Sequence, residues 1–201
     1  MIKKSLFIKS INNYKFIPLP RLPEFFLIGR SNVGKSTFVN ILTNRNKISF
    51  VSKKPGKTIN LNYFLLNDSF YLVDLPGYGF SKQSQKNKNN IFYIINYFLK
   101  NNSFVQMIFQ LMDFKVGPTK LDLQIYLELI KSNLPITIIF NKKDKISRNK
   151  ILLQIKNINQ KFLFSNLSFI PKYFLLSCQN KEGLRNIFEI INLKLKYELI
   201  Y

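Results

Sequence analysis

Gly29-Arg30-Ser31-Asn32-Val33-Gly34-Lys35-Ser36 follows directly on the apolar run Phe25 to Ile28. Two of only seven glycines in 201 residues stand here, five positions apart, with lysine and serine behind the second. The spacing is G-x-x-x-x-G-K-[ST], a loop whose glycines let the backbone curl so that successive N–H groups face one anion. A short apolar run before it and the helix-compatible stretch Thr37 to Leu42 after it supply the context of strand, loop and helix. The loop is therefore expected to hold phosphates at a helix N-terminus. A Gly-Lys-Ser turn that merely caps a helix is the plainer reading of the same residues.

Composition narrows the chemistry. The chain has no histidine and one cysteine, Cys178, which leaves no Ser-His-Asp triad and no disulfide framework, and makes a zinc site a poor reading. Lysine, carboxylates, hydroxyls, backbone N–H groups and a bound ion remain. A chain of 201 residues is long enough for one α/β domain with a full core. No apolar run approaches the roughly 20 residues that span a bilayer, and the N-terminal apolar stretch is broken at Lys9. These features give the expectation of a cytoplasmic protein with no membrane partner. The charge is 31 basic against 10 acidic residues, a net +21. Such an excess attracts nucleic-acid phosphates, while the abundance of Lys, Asn, Ile, Phe and Tyr is also what an A+T-rich genome produces.

Strand patterns run over Glu24 to Ile28, Ile59 to Leu66, Phe70 to Asp74, Phe104 to Met112, Ile136 to Phe140 and Tyr173 to Ser177. Helical patterns fill Lys35 to Leu42, Asn87 to Lys100, Thr119 to Lys131, Lys150 to Phe164 and Gly183 to Glu198. Asn67-Asp68 reads as a tight turn, so the second and third strands form an antiparallel hairpin. The alternation elsewhere demands crossovers, giving an α/β fold with a mostly parallel six-stranded sheet and helices on both faces. The aromatic residues along Asn87 to Lys100 read as core rather than as a base-stacking surface. Ligands of such sheets bind at the carboxyl ends of the strands.

Three strand ends carry matching motifs. The phosphate loop ends the first, with Lys35 set against the β and γ phosphates and the Ser36 hydroxyl set to ligate Mg²⁺. The third ends in Asp74-Leu75-Pro76-Gly77, where Asp74 is placed to hold the ion through water and Gly77 can offer an N–H to the γ phosphate. The fifth ends in Asn141-Lys142-Lys143-Asp144, whose terminal carboxylate can accept two parallel hydrogen bonds from the guanine edge. Adenine has no such pair of donors, so an unpaired carboxylate would disfavour it.

The chain resembles the translation-factor-like GTPases of the phosphate-loop class, and within them the EngB family. The residues that carry the resemblance are 29 to 37, 52 to 64, Tyr71-Leu-Val-Asp-Leu-Pro-Gly-Tyr-Gly-Phe-Ser-Lys82, and Asp113-Phe-Lys-Val-Gly-Pro-Thr-Lys-Leu-Asp122-Leu-Gln124. The resemblance implies an N-terminal extension over 1–21 and a G domain over 22–201. It implies that Thr58 completes the Mg²⁺ shell with GTP bound, with Gly56, Lys57, Ile59 and Asn60 along the nucleotide. It further implies base contacts from Leu176, Ser177 and Cys178. Lys35, Thr58 and Gly77 are then the candidate catalytic residues, and Gly29 to Ser36 the phosphate cradle.

Ile59, Lys115 and Val116 depart from the family pattern. Asp113, Asp122 and Gln124 are expected to pin a loop or cap the following helix. Tyr78 stands where many small GTPases place a water-orienting glutamine, so a slow intrinsic rate is expected. Asn32 occupies the position at which potassium-activated GTPases hold K⁺. The alternative for Asn32 is local hydrogen bonding within the loop. The implied function is GTP hydrolysis to GDP in assembly of the large ribosomal subunit, with its rRNA as partner, and in normal septation, by a monomer. A guanine-nucleotide-dependent RNA-binding scaffold with little hydrolysis is the alternative.

Overall fold

The structure, a computed structural model, describes residues 2–44, 60–79, 91–100 and 102–198. Strands β1 (Ser5–Ile11), β2 (Glu24–Gly29), β3 (Leu61–Leu66), β4 (Phe70–Asp74), β5 (Val105–Asp113), β6 (Ile136–Asn141) and β7 (Tyr173–Leu175) form a seven-stranded sheet in the order β1-β3-β4-β2-β5-β6-β7. β4, β2, β5, β6 and β7 pair in parallel, and β3 runs against both of its neighbours. The expectation of six strands is corrected to seven by β1. The apolar pattern of β1 is hidden because it lies at a sheet edge, alternates incompletely between buried and exposed residues, and shifts register between Phe7 and Lys9.

β2 shows why the sheet is covered on both faces. All six of its residues are buried, as a central parallel strand requires. Phe25 and Leu27 enter a core with Phe38, Val39 and Leu42 of α1 (Lys35–Thr43) and Ile187 and Ile191 of α5 (Leu184–Glu198). Phe26 and Ile28 enter the opposite core with Ile94, Ile95 and Phe98 of helix α2 (described over 91–99, with Ile95–Leu99 π-helical). Ile125 and Leu129 of α3 (Lys120–Lys131) complete that face. A third cluster seats Ile158 and Phe162 of α4 (Ile151–Leu163) on Ile138 and Phe140 of β6. Each fully buried Phe or Leu contributes about 1.5–3 kcal/mol.

The hairpin turn falls at Asn67 and Asp68, both with positive φ (49° and 52°), which suits the right-handed twist of a tight β-hairpin. Along α2 the expected core role holds for the isoleucines and Phe98. Tyr93 and Tyr97 instead face outward and stack on each other with centroids 5.1 Å apart. The segment 142–150 contains two single 3₁₀ turns before α4, the loop that its polarity predicts. Asn87 to Asn90, at the start of the expected second helix, lie outside the described residues.

Candidate functional site

The carboxyl ends of β2, β4, β6 and β7 converge on one side of the sheet. From β2 the chain turns at once into α1 through Ser31, Asn32, Val33 and Gly34. Gly34 has φ 103° and caps α1. A side chain there would be strained and would also strike the Asn141 amide. At the start of the loop a Cβ on Gly29 would lie 2.7 Å from the Leu111 carbonyl oxygen, so only glycine fits against β5. Asn32 also has a positive φ, 64°, a conformation that asparagine tolerates well. This backbone preference is a reason for asparagine here that needs no cation.

Lys35 is 9% exposed, and its Nζ donates to the Gly29 carbonyl at 3.1 Å. Burial lowers its pKa, and the nearby Asp74 carboxylate partly offsets that. Asp74, at the end of β4, is itself pushed up to about 6 by burial, with Lys35 opposing the rise. Its Oδ1 is buried without a hydrogen-bond partner. An orphaned carboxylate oxygen beside a phosphate loop and the Ser36 hydroxyl is a donor set suited to a hard divalent ion. Among the described residues no group of three or more His, Cys, Asp or Glu side chains could hold a metal.

Gly77 is pressed against the loop, for a Cβ there would lie 2.8 Å from Lys35 Nζ and 2.9 Å from Ser31 Oγ. Leu75 and Pro76 lead into it, with Leu75 N donating to the Leu27 carbonyl at 3.0 Å.

The base side is joined to the phosphate side by side chains. Asn141, 2% exposed, donates from Nδ2 to the Val33 carbonyl at 3.0 Å and accepts from Cys178 N at 3.1 Å. Lys142 Nζ donates to the Asn32 carbonyl at 2.8 Å and pairs with Asp113 Oδ2 at 2.8 Å. Ser177 Oγ donates to Asp144 Oδ1 at 2.6 Å. Lys143 N donates to the Leu176 carbonyl at 3.1 Å, and its ammonium pairs with Glu182. The Cys178 thiol is pushed up to about 12, mainly by burial. Asp144 is thus held by a neighbour from the loop after β7 while remaining exposed. Gly56, Lys57, Thr58 and Ile59 lie outside the described residues; Asn60 directly precedes β3.

Asp113 and Asp122 do what the sequence suggests. Asp113 Oδ1 accepts from Lys115 N (2.9 Å) and Val116 N (3.2 Å), and Asp122 forms a capping box with Thr119 at the start of α3. Gln124 is exposed on α3 and takes no part in either. The pairings Lys142–Asp113, Ser177–Asp144 and Tyr78–Asp122 were not readable from the motifs. Lys142–Asp113 and Ser177–Asp144 join residues at or just past the ends of neighbouring strands, and Tyr78–Asp122 joins the segment after β4 to the first turn of α3. Tyr78 does not face the phosphate cleft; it is buried, 1% exposed, with its hydroxyl on Asp122.

Residues 24–142 match a family model described as 50S ribosome-binding GTPase. The protein of Acholeplasma laidlawii named "Probable GTP-binding protein EngB" is 40% identical over 184 residues, covering 92% of this chain and 94% of the relative. Its namesake in Bacteroides thetaiotaomicron is 37% identical over 190 residues, with 94% of each chain covered. A crystal structure of a probable EngB GTP-binding protein superposes with a TM-score of 0.65 at 22% identity, covering 87% of this chain and 99% of that one, a likeness of fold. With that fold, the four strand-end loops in place and relatives matched over nearly their whole length, the chain belongs to the EngB family of GTP-binding proteins and is a phosphate-loop GTPase.

Proposed function

We propose that the chain binds GTP with Mg²⁺, hydrolyses it to GDP, and uses the cycle in assembly of the large ribosomal subunit. The observation that carries the nucleotide reading is Asn141, whose one side chain ties the phosphate loop to the loop carrying Cys178. Asp144 accepts from the guanine N1–H and amino group, with Leu176, Ser177 and Cys178 as the floor of the base pocket. The backbone amides from Asn32 to Ser36 hold the β phosphate at the N-terminus of α1. Lys35 leaves the Gly29 carbonyl to meet the β and γ oxygens, and Gly77 N–H meets the γ phosphate.

Water attacks the γ phosphorus in line, and Lys35 neutralises charge that develops on the leaving oxygens. Ser36 and Thr58 would ligate the ion directly and Asp74 through water. When bound, Mg²⁺ supplies charge neutralisation and fixes the phosphate geometry. Tyr78, at the position after Gly77, is turned into the core with its hydroxyl on Asp122, which supports a slow intrinsic rate.

The ribosomal part rests on the matched family description and on the net charge of +21. A role in septation rests on the family resemblance. No helix among the described residues is long and apolar enough to cross a membrane, and action as a cytoplasmic monomer fits this reading. Single-turnover GTP hydrolysis with and without large subunits, together with co-sedimentation, tests it. Hydrolysis that is slow alone and faster with large subunits is the expected result. Binding of GTP with no turnover in either condition would favour a nucleotide-dependent RNA scaffold.

A further inference from the structure

Asp122 is completely buried, yet it gathers groups from four parts of the fold. Tyr78 Oη donates to its Oδ1 at 2.7 Å, and Thr119 N and Oγ1 donate to its Oδ2 at 2.8 and 2.6 Å. Arg30 Nε stands 3.2 Å from Oδ2; its N–H is not aligned for a hydrogen bond, so the contact is an ion pair. Gln110 of β5 donates to both the Tyr78 hydroxyl (3.3 Å) and the Asp122 carbonyl (2.9 Å). A helix cap needs only the Thr119 part of this arrangement. The remaining contacts point back toward the phosphate loop.

On the other side of Tyr78 the backbone is paired to that loop. Arg30 and Tyr78 form an isolated parallel bridge, in which Ser31 N donates to the Tyr78 carbonyl at 2.9 Å and Tyr78 N donates to the Gly29 carbonyl at 3.4 Å. Gly77, one residue earlier, lies against Lys35 and Ser31. Gly79, one residue later, packs on the Arg30 stem and Leu121, with φ 82°. Three consecutive residues are therefore pinned between the phosphate loop and the first turn of α3. Burial holds the Tyr78 hydroxyl well above its ordinary pKa, so it remains a donor.

We infer that Asp122, through Tyr78 and Arg30, is a positioning residue that fixes Gly77 on the phosphate loop, so that its N–H is pre-placed for the γ phosphate. This rests on the assignment of Gly77 to the γ phosphate made above. A pre-placed donor needs no reorganisation as charge develops. GDP has no γ phosphate and should not sense the clamp.

The test pairs Tyr78→Phe, which keeps the buried ring and removes only the hydroxyl, with Arg30→Gln, which removes the charge paired with the buried Asp122 carboxylate. Single-turnover hydrolysis at saturating Mg-GTP is measured beside GDP affinity and thermal midpoint. Both variants should lose about tenfold or more in hydrolysis rate, and in Tyr78→Phe, which lies outside the phosphate cradle, GDP affinity should stay within about twofold. Unchanged rates in both variants would overturn the inference. So would parallel losses of GDP affinity and thermal stability, the pattern of a merely structural brace. Lys35→Ala separates the two levels of the argument. If it leaves GTP binding intact, the site assignment fails and the clamp with it; if it abolishes GTP binding while Tyr78→Phe is silent, only the clamp fails.

Discussion

Asn141 ties two strand-end loops together, because its side chain satisfies a buried carbonyl on the phosphate loop and the buried Cys178 amide at once. Removing both partners' bonds leaves two buried backbone groups unsatisfied, each at about 1–3 kcal/mol. Asn141→Ala should therefore lower unfolding stability by about 2–6 kcal/mol in urea titrations and weaken GDP by at least about tenfold. A loss under about 0.5 kcal/mol would mean that water replaces the amide without cost. Cys178 offers a second reading at the same scale. With its thiol at about 12, 7% exposed, it should resist alkylation at about pH 8 in the folded protein and react once urea unfolds the chain. Rapid labelling of the native state would show that the pocket floor is open.

Among the elements, β2 carries a feature remote from the nucleotide. Glu24 at its start is fully buried, with Asn102 Nδ2 donating to it at 2.7 Å and Arg21 Nη2 at 3.4 Å. Burial outweighs these partners and raises its pKa above the ordinary 4.5. The folded state thus retains the proton to higher pH than the unfolded chain does. The stability contributed by Glu24 is present in full below that ordinary value and declines as pH rises past it. Relative to Glu24→Gln, which does not titrate, the wild type should lose thermal stability as the pH rises above the ordinary 4.5. Parallel stability curves for the two proteins over that range would contradict the burial argument.

The same strand also shows what sequence can reveal. β2, Gly29 and Gly34 were legible because phosphate binding needs glycines at fixed spacing after an apolar run, and β6 with Asn141 was legible for a similar reason. β1 was not, because an edge strand with a bulge buries too few residues to keep period two. The burial of Tyr78 was not legible, since its partner Asp122 is 44 positions away and only the fold brings the two together.

At the scale of the molecule, the parallel sheet gathers four chain segments at the carboxyl ends of its strands, and the sequence as a whole carries a net charge of +21. If that charge serves rRNA docking, affinity for large subunits should fall at least about tenfold between about 50 and 200 mM salt, since each neutralised phosphate releases counterions. A flat response would return the charge to composition alone. In the proposed function the loops at the strand ends form one guanine-reading site, with Asp144 as the reader. Titration calorimetry of GDP and XDP against wild type and Asp144→Asn tests it most directly. Xanthine presents an acceptor where guanine has its amino group, so the variant should exchange the wild type's preference for GDP for a preference for XDP. An Asp144→Asn protein that still binds GDP more tightly than XDP would contradict the account.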